Sequence, residues 1–160
     1  MDGTLLNSYG EVSEENKRAI KQAIQKGSEI VLASGRMPSS VKNIAMELGA
    51  DKYIISGNGT MVYDLQKEEV IYDTFMTKEK ALEIIKICEE NSIYYNVYTR
   101  NSVLAKSLNY NILFYNNENS NKPLEKRTNI NIVEDICKYI KETQDLEILK
   151  MTICDSDQII

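Results

Sequence analysis

The chain of 160 residues is long enough for one well-formed hydrophobic core or for two smaller ones. It is 42% hydrophobic with only 2 prolines, which excludes a disordered or collagen-like chain. Its apolar runs are shorter than the roughly 18 residues that a membrane-spanning helix needs. We therefore expect a soluble globular protein with no membrane partner.

Charge and residue usage exclude several classes of function. The 19 Lys and Arg against 24 Asp and Glu give a net charge of −5, without a basic block, so we expect no nucleic-acid partner. The absence of histidine excludes Ser-His triads, histidine general bases and histidine-ligated zinc or haem. Any chemistry must come from carboxylates, hydroxyls, lysines and thiols.

The three cysteines predict a reducing compartment. Cys88, Cys137 and Cys154 are odd in number, far apart and set in apolar stretches, which favours buried thiols over a disulfide framework. The first residues lack the basic and then apolar pattern of a signal peptide. We expect a cytoplasmic protein.

The first two predicted strands each follow a helix. Ser13 is suited to cap a helix that ends near Gly27, and an apolar strand at 29–33 then leads into the turn Ser34-Gly35-Arg36. Pro38 suits the first turn of a second helix, which ends before Gly49.

A strand at 53–56 follows, and then the turn Gly57-Asn58-Gly59. Strands separated by a helix of about ten residues favour a parallel sheet, with ligands at the carboxyl ends of its strands. Both turns lie at that edge.

The remainder predicts a hairpin that leaves the first sheet, followed by a second α/β region. The hairpin pairs 61–63 with 70–72, and we place a domain boundary near Phe75. In the second region a helix is predicted to begin at Thr77 and a strand to follow at 93–98. A polar loop is predicted at 116–122, a helix at 132–140 and a further strand at 146–153.

Three short motifs occur in an order that resembles a known family. The chain opens with MDGTLLNS, continues with VLASGR at the end of a strand, and then has ISGNG at the end of the next. This order resembles the haloacid dehalogenase-like phosphatases of the Cof type, which carry a large α/β cap. The family motif Asp-x-Asp-Gly-Thr matches from its second position onward, so Met1 stands at x and the nucleophilic Asp has no counterpart in this sequence.

The resemblance implies a role for each matching residue. Asp2 would be the general acid/base and would contribute to binding Mg²⁺, and Ser34 would hydrogen-bond the phosphoryl group. The remaining residues implied at the phosphate or substrate site are Gly3, Thr4, Gly35, Arg36, Asn58 and Gly59. Taken alone, each motif can also be an ordinary turn, and Arg36 can be a solvated surface charge.

The resemblance also implies an α/β fold in two parts. Residues 1–75 would form a partial Rossmann-like parallel core without its first strand, and 76–160 part of an α/β cap. We expect the chain to be truncated at both ends, to be inactive alone, and to self-associate through the open edge of the 29–33 strand.

Three functions remain open. The first is a Mg²⁺-dependent phosphatase of a small phosphorylated metabolite that works through an aspartyl-phosphate. The second is a non-catalytic protein that binds phosphorylated ligands or a partner. The third is a phosphomutase-type transferase of the same fold.

Overall fold

The computed structural model describes residues 1, 3–7 and 9–154. The chain divides into two compact units, one spanning Met1–Asp73 and the other beginning at Thr74. Each unit has a four-stranded sheet and a hydrophobic core of its own. The α/β class predicted from the sequence is confirmed. Among the described residues, the helices are too short or too polar to cross a bilayer.

The first unit combines two helices with a mixed sheet. Its elements are α1 (Glu14–Gln25), β1 (Leu32–Ala33), α2 (Pro38–Leu48), β2 (Tyr53–Ser56), β3 (Met61–Asp64) and β4 (Glu69–Asp73). The strands lie in the order β1-β2-β3-β4. Only β1 and β2 are parallel, and α2 connects them. This strand-helix-strand unit brings the ends of β1 and β2 to the same edge of the sheet.

Sequence signals at both helix ends act as predicted. The Ser13 hydroxyl accepts a hydrogen bond from the Asn16 amide at 3.2 Å and caps α1. Pro38 opens α2, and Gly49 ends it in the left-handed conformation with φ 70°. Val41 and Ala45 are fully buried on α2 and pack into the core of this unit. Helix α2 is therefore the main cover of this sheet.

Two details of the first sheet differ from the prediction. The strand predicted at 29–33 pairs only over Leu32–Ala33, as an edge strand of the described sheet that pairs with β2 alone. The predicted hairpin does form, but it stays in the first sheet, because β3 pairs antiparallel with β2. The prediction that the hairpin leaves the sheet is wrong.

The described part of the second unit consists of three α-helices and a four-stranded sheet, and two of its helices contribute to the core of the unit. Its elements are α3 (Lys78–Glu90), β5 (Tyr94–Thr99), β6 (Val103–Ala105), α4 (Asn111–Ser120), β7 (Ile130–Ile132), α5 (Ile136–Glu142) and β8 (Ile148–Cys154). The strands lie in the order β7-β6-β5-β8. Ile85 of α3 and Ile140 of α5 are fully buried in one core with Val97 of β5.

Tertiary contacts overrule the local pattern at α4 and α5. The region 116–122 was predicted as a polar loop, but most of it belongs to α4. The Asn119 amide anchors this helix through hydrogen bonds at 2.8 Å to both backbone groups of Thr128. The helix predicted at 132–140 divides into β7 and α5, because the Asp135 carboxylate caps α5 through the Lys138 amide. The strand β6 is fully buried and has too few residues to show the alternation of apolar and polar side chains by which a strand is predicted.

Candidate functional site

Two turns meet at the edge where β1 and β2 end. The first is Ser34-Gly35-Arg36 and the second is Gly57-Asn58-Gly59. The Asn58 amide donates to the Ser34 carbonyl at 3.2 Å, and the Gly57 amide donates to the Arg36 carbonyl at 3.1 Å. The Ser34 amide in turn donates to the carbonyl of Ile55 at 3.0 Å, which continues the ladder of β1 and β2. The two turns therefore form one hydrogen-bonded structure.

An open cleft of about 550 Å³ lies over the joined turns. The residues that line it are Met1, Ala33, Ser34, Gly35, Ile55, Asn58 and Gly59. Four of the residues predicted for the phosphate site thus share one cleft. A volume of this size is typical of small-molecule sites.

The Ser34 hydroxyl is oriented by its own turn. Its Oγ accepts a hydrogen bond from the Arg36 amide at 3.2 Å. A hydroxyl has one hydrogen to donate in addition to its acceptor lone pairs. Because Arg36 occupies an acceptor position, the hydroxyl hydrogen remains available to an oxygen in the cleft.

The Asn58 side chain fills the space above Gly35. Asn58 has the left-handed backbone conformation, with φ 63° and ψ 32°, which asparagine tolerates better than most residues. A Cβ on residue 35 would collide with Asn58 Oδ1 and would lie 3.1 Å from its Cγ. Glycine at position 35 thus lets the asparagine amide lie against the first turn.

Arg36 is not the solvated charge that the sequence left open. Arg36 is only 6% exposed, and its Nη1 donates a hydrogen bond to the Ser40 hydroxyl at 3.4 Å. Ser40 lies in the first turn of α2 and is fully buried. The Arg36 side chain is absent from the residues that line the cleft.

The opening motif is only partly represented in this site. Met1 lines the cleft, whereas Gly3 and Thr4 are exposed and are not among the lining residues. The Met1 carbonyl accepts the Leu5 amide at 2.9 Å, which turns the chain immediately after the motif. The predicted catalytic and metal residue Asp2 lies outside the described residues.

Comparison with known proteins identifies the family. A model of the haloacid dehalogenase-like hydrolases matches residues 1–159. The chain belongs to the haloacid dehalogenase-like hydrolase family. The predicted membership among Cof-type phosphatases of this family is confirmed.

Similar proteins include phosphatases of Bacillus subtilis. The chain is 36% identical to phosphatase YwpJ over 103 residues, which cover 64% of this chain and 36% of that protein. It is 34% identical to 5-amino-6-(5-phospho-D-ribitylamino)uracil phosphatase YwtE over 105 residues, which cover 66% of this chain and 36% of that protein. The matched part is thus about a third of the length of these curated relatives.

A solved structure shows the same fold. A haloacid dehalogenase-like hydrolase from Bacillus subtilis superposes with a TM-score of 0.72 over 92% of this chain and 56% of that chain. The sequence identity between the two is 24%, so this likeness supports the fold alone.

The described part of the cleft does not fit the magnesium ion that the family implies. Mg²⁺ prefers octahedral coordination by oxygens and usually takes one or two carboxylates from the protein. The side chains of the described lining residues offer one hydroxyl and one amide carbonyl, with no carboxylate among them. Within residues 1, 3–7 and 9–154, no three Asp, Glu or Cys side chains cluster as metal ligands. No chemical step through a metal follows from these residues.

The second unit contains a buried polar chain that the sequence did not reveal. The fully buried Asn96 donates to Asn111 Oδ1 at 2.8 Å, and the Asn111 amide donates to the Tyr98 hydroxyl at 2.6 Å. Lys150 Nζ lies 4.3 Å from the centre of the Tyr98 ring. Burial lowers the pKa of Lys150 and raises the pKa of Tyr98. These groups order the face of β5 and β8 that α4 contacts.

Two residues of the first site were missed by sequence reasoning. Met1 has no functional signature in the sequence beyond its place in the motif, yet it lines the cleft. Nothing in the sequence distinguishes Ser40 from its neighbours, yet its hydroxyl accepts a hydrogen bond from the Arg36 guanidinium. The spacing of four residues between Arg36 and Ser40 is a weak signal, because residues four apart lie near one another around any helix start, whatever their types.

Proposed function

We propose that this chain supplies the phosphate-binding part of a phosphatase that acts on small phosphorylated metabolites. One observation supports this most strongly: Ser34, Gly35, Asn58 and Gly59 line one cleft where the parallel strands β1 and β2 end. Open α/β sheets bind their ligands at this edge. Family membership and the phosphatase relatives support the same class of substrate.

In this proposal the two turns bind the phosphoryl oxygens. The Ser34 hydroxyl donates its free hydrogen to one oxygen, and the side chain of Asn58 orients the substrate from the opposite turn. Phosphoryl transfer depends mainly on positioning and on charge stabilisation, so fixed donors are what the protein must supply. The backbone bonds between the turns would hold these donors in place before substrate arrives.

The remaining assignments rest on the resemblance. Asp2 would act as general acid/base and as the Mg²⁺ ligand from this chain, with Gly3 and Thr4 shaping the loop beside it. The unit Met1–Asp73 would be part of the catalytic core, and the unit that begins at Thr74 would be part of the cap. We propose a cytoplasmic enzyme, in keeping with its three cysteines, all of which are free thiols.

The cleft and one relative's name both bear on the class of substrate. The name of the relative YwtE describes a phosphate ester on a ribityl chain. The open cleft accommodates a phosphate and the first atoms beyond it. We therefore propose small phosphate monoesters as substrates, with hydrolysis as the reaction.

An activity assay tests this proposal. With Mg²⁺ and an aryl phosphate, we expect the 160-residue chain to turn over no faster than buffer, because the nucleophilic Asp of the motif has no counterpart in its sequence. A longer chain in which an apolar strand ending in Asp precedes Met1, and which carries the C-terminal motifs, should be active and should lose activity on Asp2→Asn. Robust turnover by the short chain would contradict the motif assignment.

A second candidate function is binding without catalysis. The described cleft has hydrogen-bond donors for phosphate but no carboxylate among its lining residues, which suits a phosphate-ligand-binding protein. Saturable binding of a sugar phosphate with no turnover in the longer chain would favour this function. Transfer of the phosphoryl group to a second sugar instead of water would favour a phosphomutase.

A further inference from the structure

Arg36 lies in the turn proposed to bind phosphate, yet it is not among the residues that line the cleft. The guanidinium donates to Ser40 Oγ at 3.4 Å, on the first turn of α2. Arg36 is 6% exposed and Ser40 is fully buried. The Arg36 side chain thus contacts α2 and is not among the residues that line the described cleft.

The backbone of Arg36 contacts both turns of the site. Its amide donates to the Ser34 hydroxyl at 3.2 Å, and its carbonyl accepts the Gly57 amide at 3.1 Å. The position of residue 36 therefore sets the orientation of the Ser34 hydroxyl. It also sets where the 57–59 turn, which carries Asn58, lies against the first turn.

We propose that Arg36 is a positioning residue for phosphate binding. Its guanidinium, anchored on Ser40, holds the backbone of residue 36 and thereby the Ser34 hydroxyl and the 57–59 turn. It does not itself contact phosphate. This inference rests on the proposed phosphate site and replaces the direct phosphate role that the family resemblance implies for Arg36.

The side chain of arginine is suited to this task. Its planar guanidinium presents several donors in fixed directions, so that an anchored arginine loses little further freedom when neighbouring groups become ordered. Binding groups that are held in place before the ligand arrives bind more tightly than groups that must be ordered on binding. The bond to Ser40 connects the turn to α2, whose Val41 and Ala45 are fully buried in the core.

Substitution of Ser40 tests the inference without touching the cleft. Ser40→Ala removes the hydroxyl that accepts from Arg36 Nη1, and Ser39→Ala is the matched control because Ser39 is exposed on the same helical turn. Without ligand, we expect Ser40→Ala to speed hydrogen exchange of the Gly57 and Asn58 amides about fivefold. Exchange of a core amide away from α2, such as that of Ile54 in β2, should change less, which separates local loosening from global unfolding.

The same variants are then titrated with inorganic phosphate. We expect Ser40→Ala to raise the Kd about fivefold and Ser39→Ala to leave it unchanged. Arg36→Lys, which keeps the charge but loses the planar group, should weaken binding about as much as Arg36→Gln. Wild-type affinity in Ser40→Ala, or retained affinity in Arg36→Lys with loss in Arg36→Gln, would overturn the inference.

The two measurements also separate this inference from the proposed function. If the wild-type chain shows no saturable phosphate binding, the phosphate site fails, whereas the exchange rates still report whether Arg36 and Ser40 hold the turns. If phosphate binds but exchange of Gly57 and Asn58 is the same in Ser40→Ala and in wild type, the site stands and the positioning role fails.

Discussion

Gly35→Ala should separate stability from phosphate binding in the first unit. The backbone of Gly35 is not in the left-handed region, so an alanine can adopt the same backbone conformation without strain. Its methyl group, however, would collide with Asn58 Oδ1 and would lie 3.1 Å from Cγ and 3.4 Å from Nδ2. The Asn58 side chain must therefore rotate out of its place in the cleft.

The expected change in stability is small because two effects oppose each other. Replacement of glycine by alanine at an allowed conformation stabilises by about 0.4–1 kcal/mol through the unfolded state. Forcing the Asn58 side chain from its rotamer costs about 0.5–1.5 kcal/mol, and its exposed position lets it move into solvent. We expect a net change within about 1 kcal/mol in the free energy of unfolding.

A double-mutant cycle isolates the steric part of this effect. Asn58→Gly removes the colliding side chain and suits the φ of 63°. In that background Gly35→Ala should stabilise the unit, which gives a coupling of about 1 kcal/mol between positions 35 and 58.

Hydrogen exchange of the Ile54 amide would report stability, and titration with inorganic phosphate would report binding. Unchanged phosphate affinity in Gly35→Ala, or zero coupling in the cycle, would refute the reasoning.

Three further predictions concern the second unit. Ile85→Ala should destabilise it by about 2–5 kcal/mol in a denaturant titration, because Ile85 is fully buried in its core; a loss below about 1 kcal/mol would contradict that packing. Asn111→Ala should cost about 2 kcal/mol by leaving the buried Asn96 amide without its partner, and Asn111→Asp should recover part of this. The Lys106 ammonium lowers the pKa of Glu89 in the folded protein below its value of about 4.5 in the unfolded chain. The Glu89 carboxylate therefore stabilises the fold at pH values above about 4.5, and this stabilisation is lost as the pH falls through the lowered pKa. Glu89→Gln should therefore reduce stability at pH 7 by less than about 1 kcal/mol, since the Glu89 side chain is 42% exposed, and should not do so at pH 2.

The sequence predicted best those elements whose signals are local. The cap at Ser13, the helix start at Thr77, the proline at the start of α2 and the glycine at its end all depend on contacts within one turn of the chain. The same locality explains the hairpin of β3 and β4, which a short polar segment connects.

The errors occur where long-range contacts decide. Local polarity at 116–122 favoured a loop, but hydrogen bonds from Asn119 to Thr128 stabilise a helix over most of that region. The strand predicted at 29–33 is short because it pairs only with β2 within the described part of the chain. Neither contact has a signature in the residues next to it.

The site shows the same division. The alternation of strands and helices predicted that the turns carrying Ser34, Gly35, Asn58 and Gly59 lie at one edge, and the structure brings these four residues together. The sequence pattern could not predict that the Arg36 side chain contacts the buried Ser40 on the next helix. Nor could it show that the Asn58 side chain occupies the space that Gly35 leaves open.

A titration of the isotope-labelled chain with inorganic phosphate tests the central claim most directly. Amide shifts would be followed in the two turns, Ser34-Gly35-Arg36 and Gly57-Asn58-Gly59, with Ser34→Ala as the matched variant and the Ile148 amide of the second unit as an internal reference. We expect saturable shifts confined to the two turns, and we expect Ser34→Ala to abolish them. Phosphate that shifts no turn amide in the wild-type chain, or that binds Ser34→Ala with unchanged affinity, would contradict that claim.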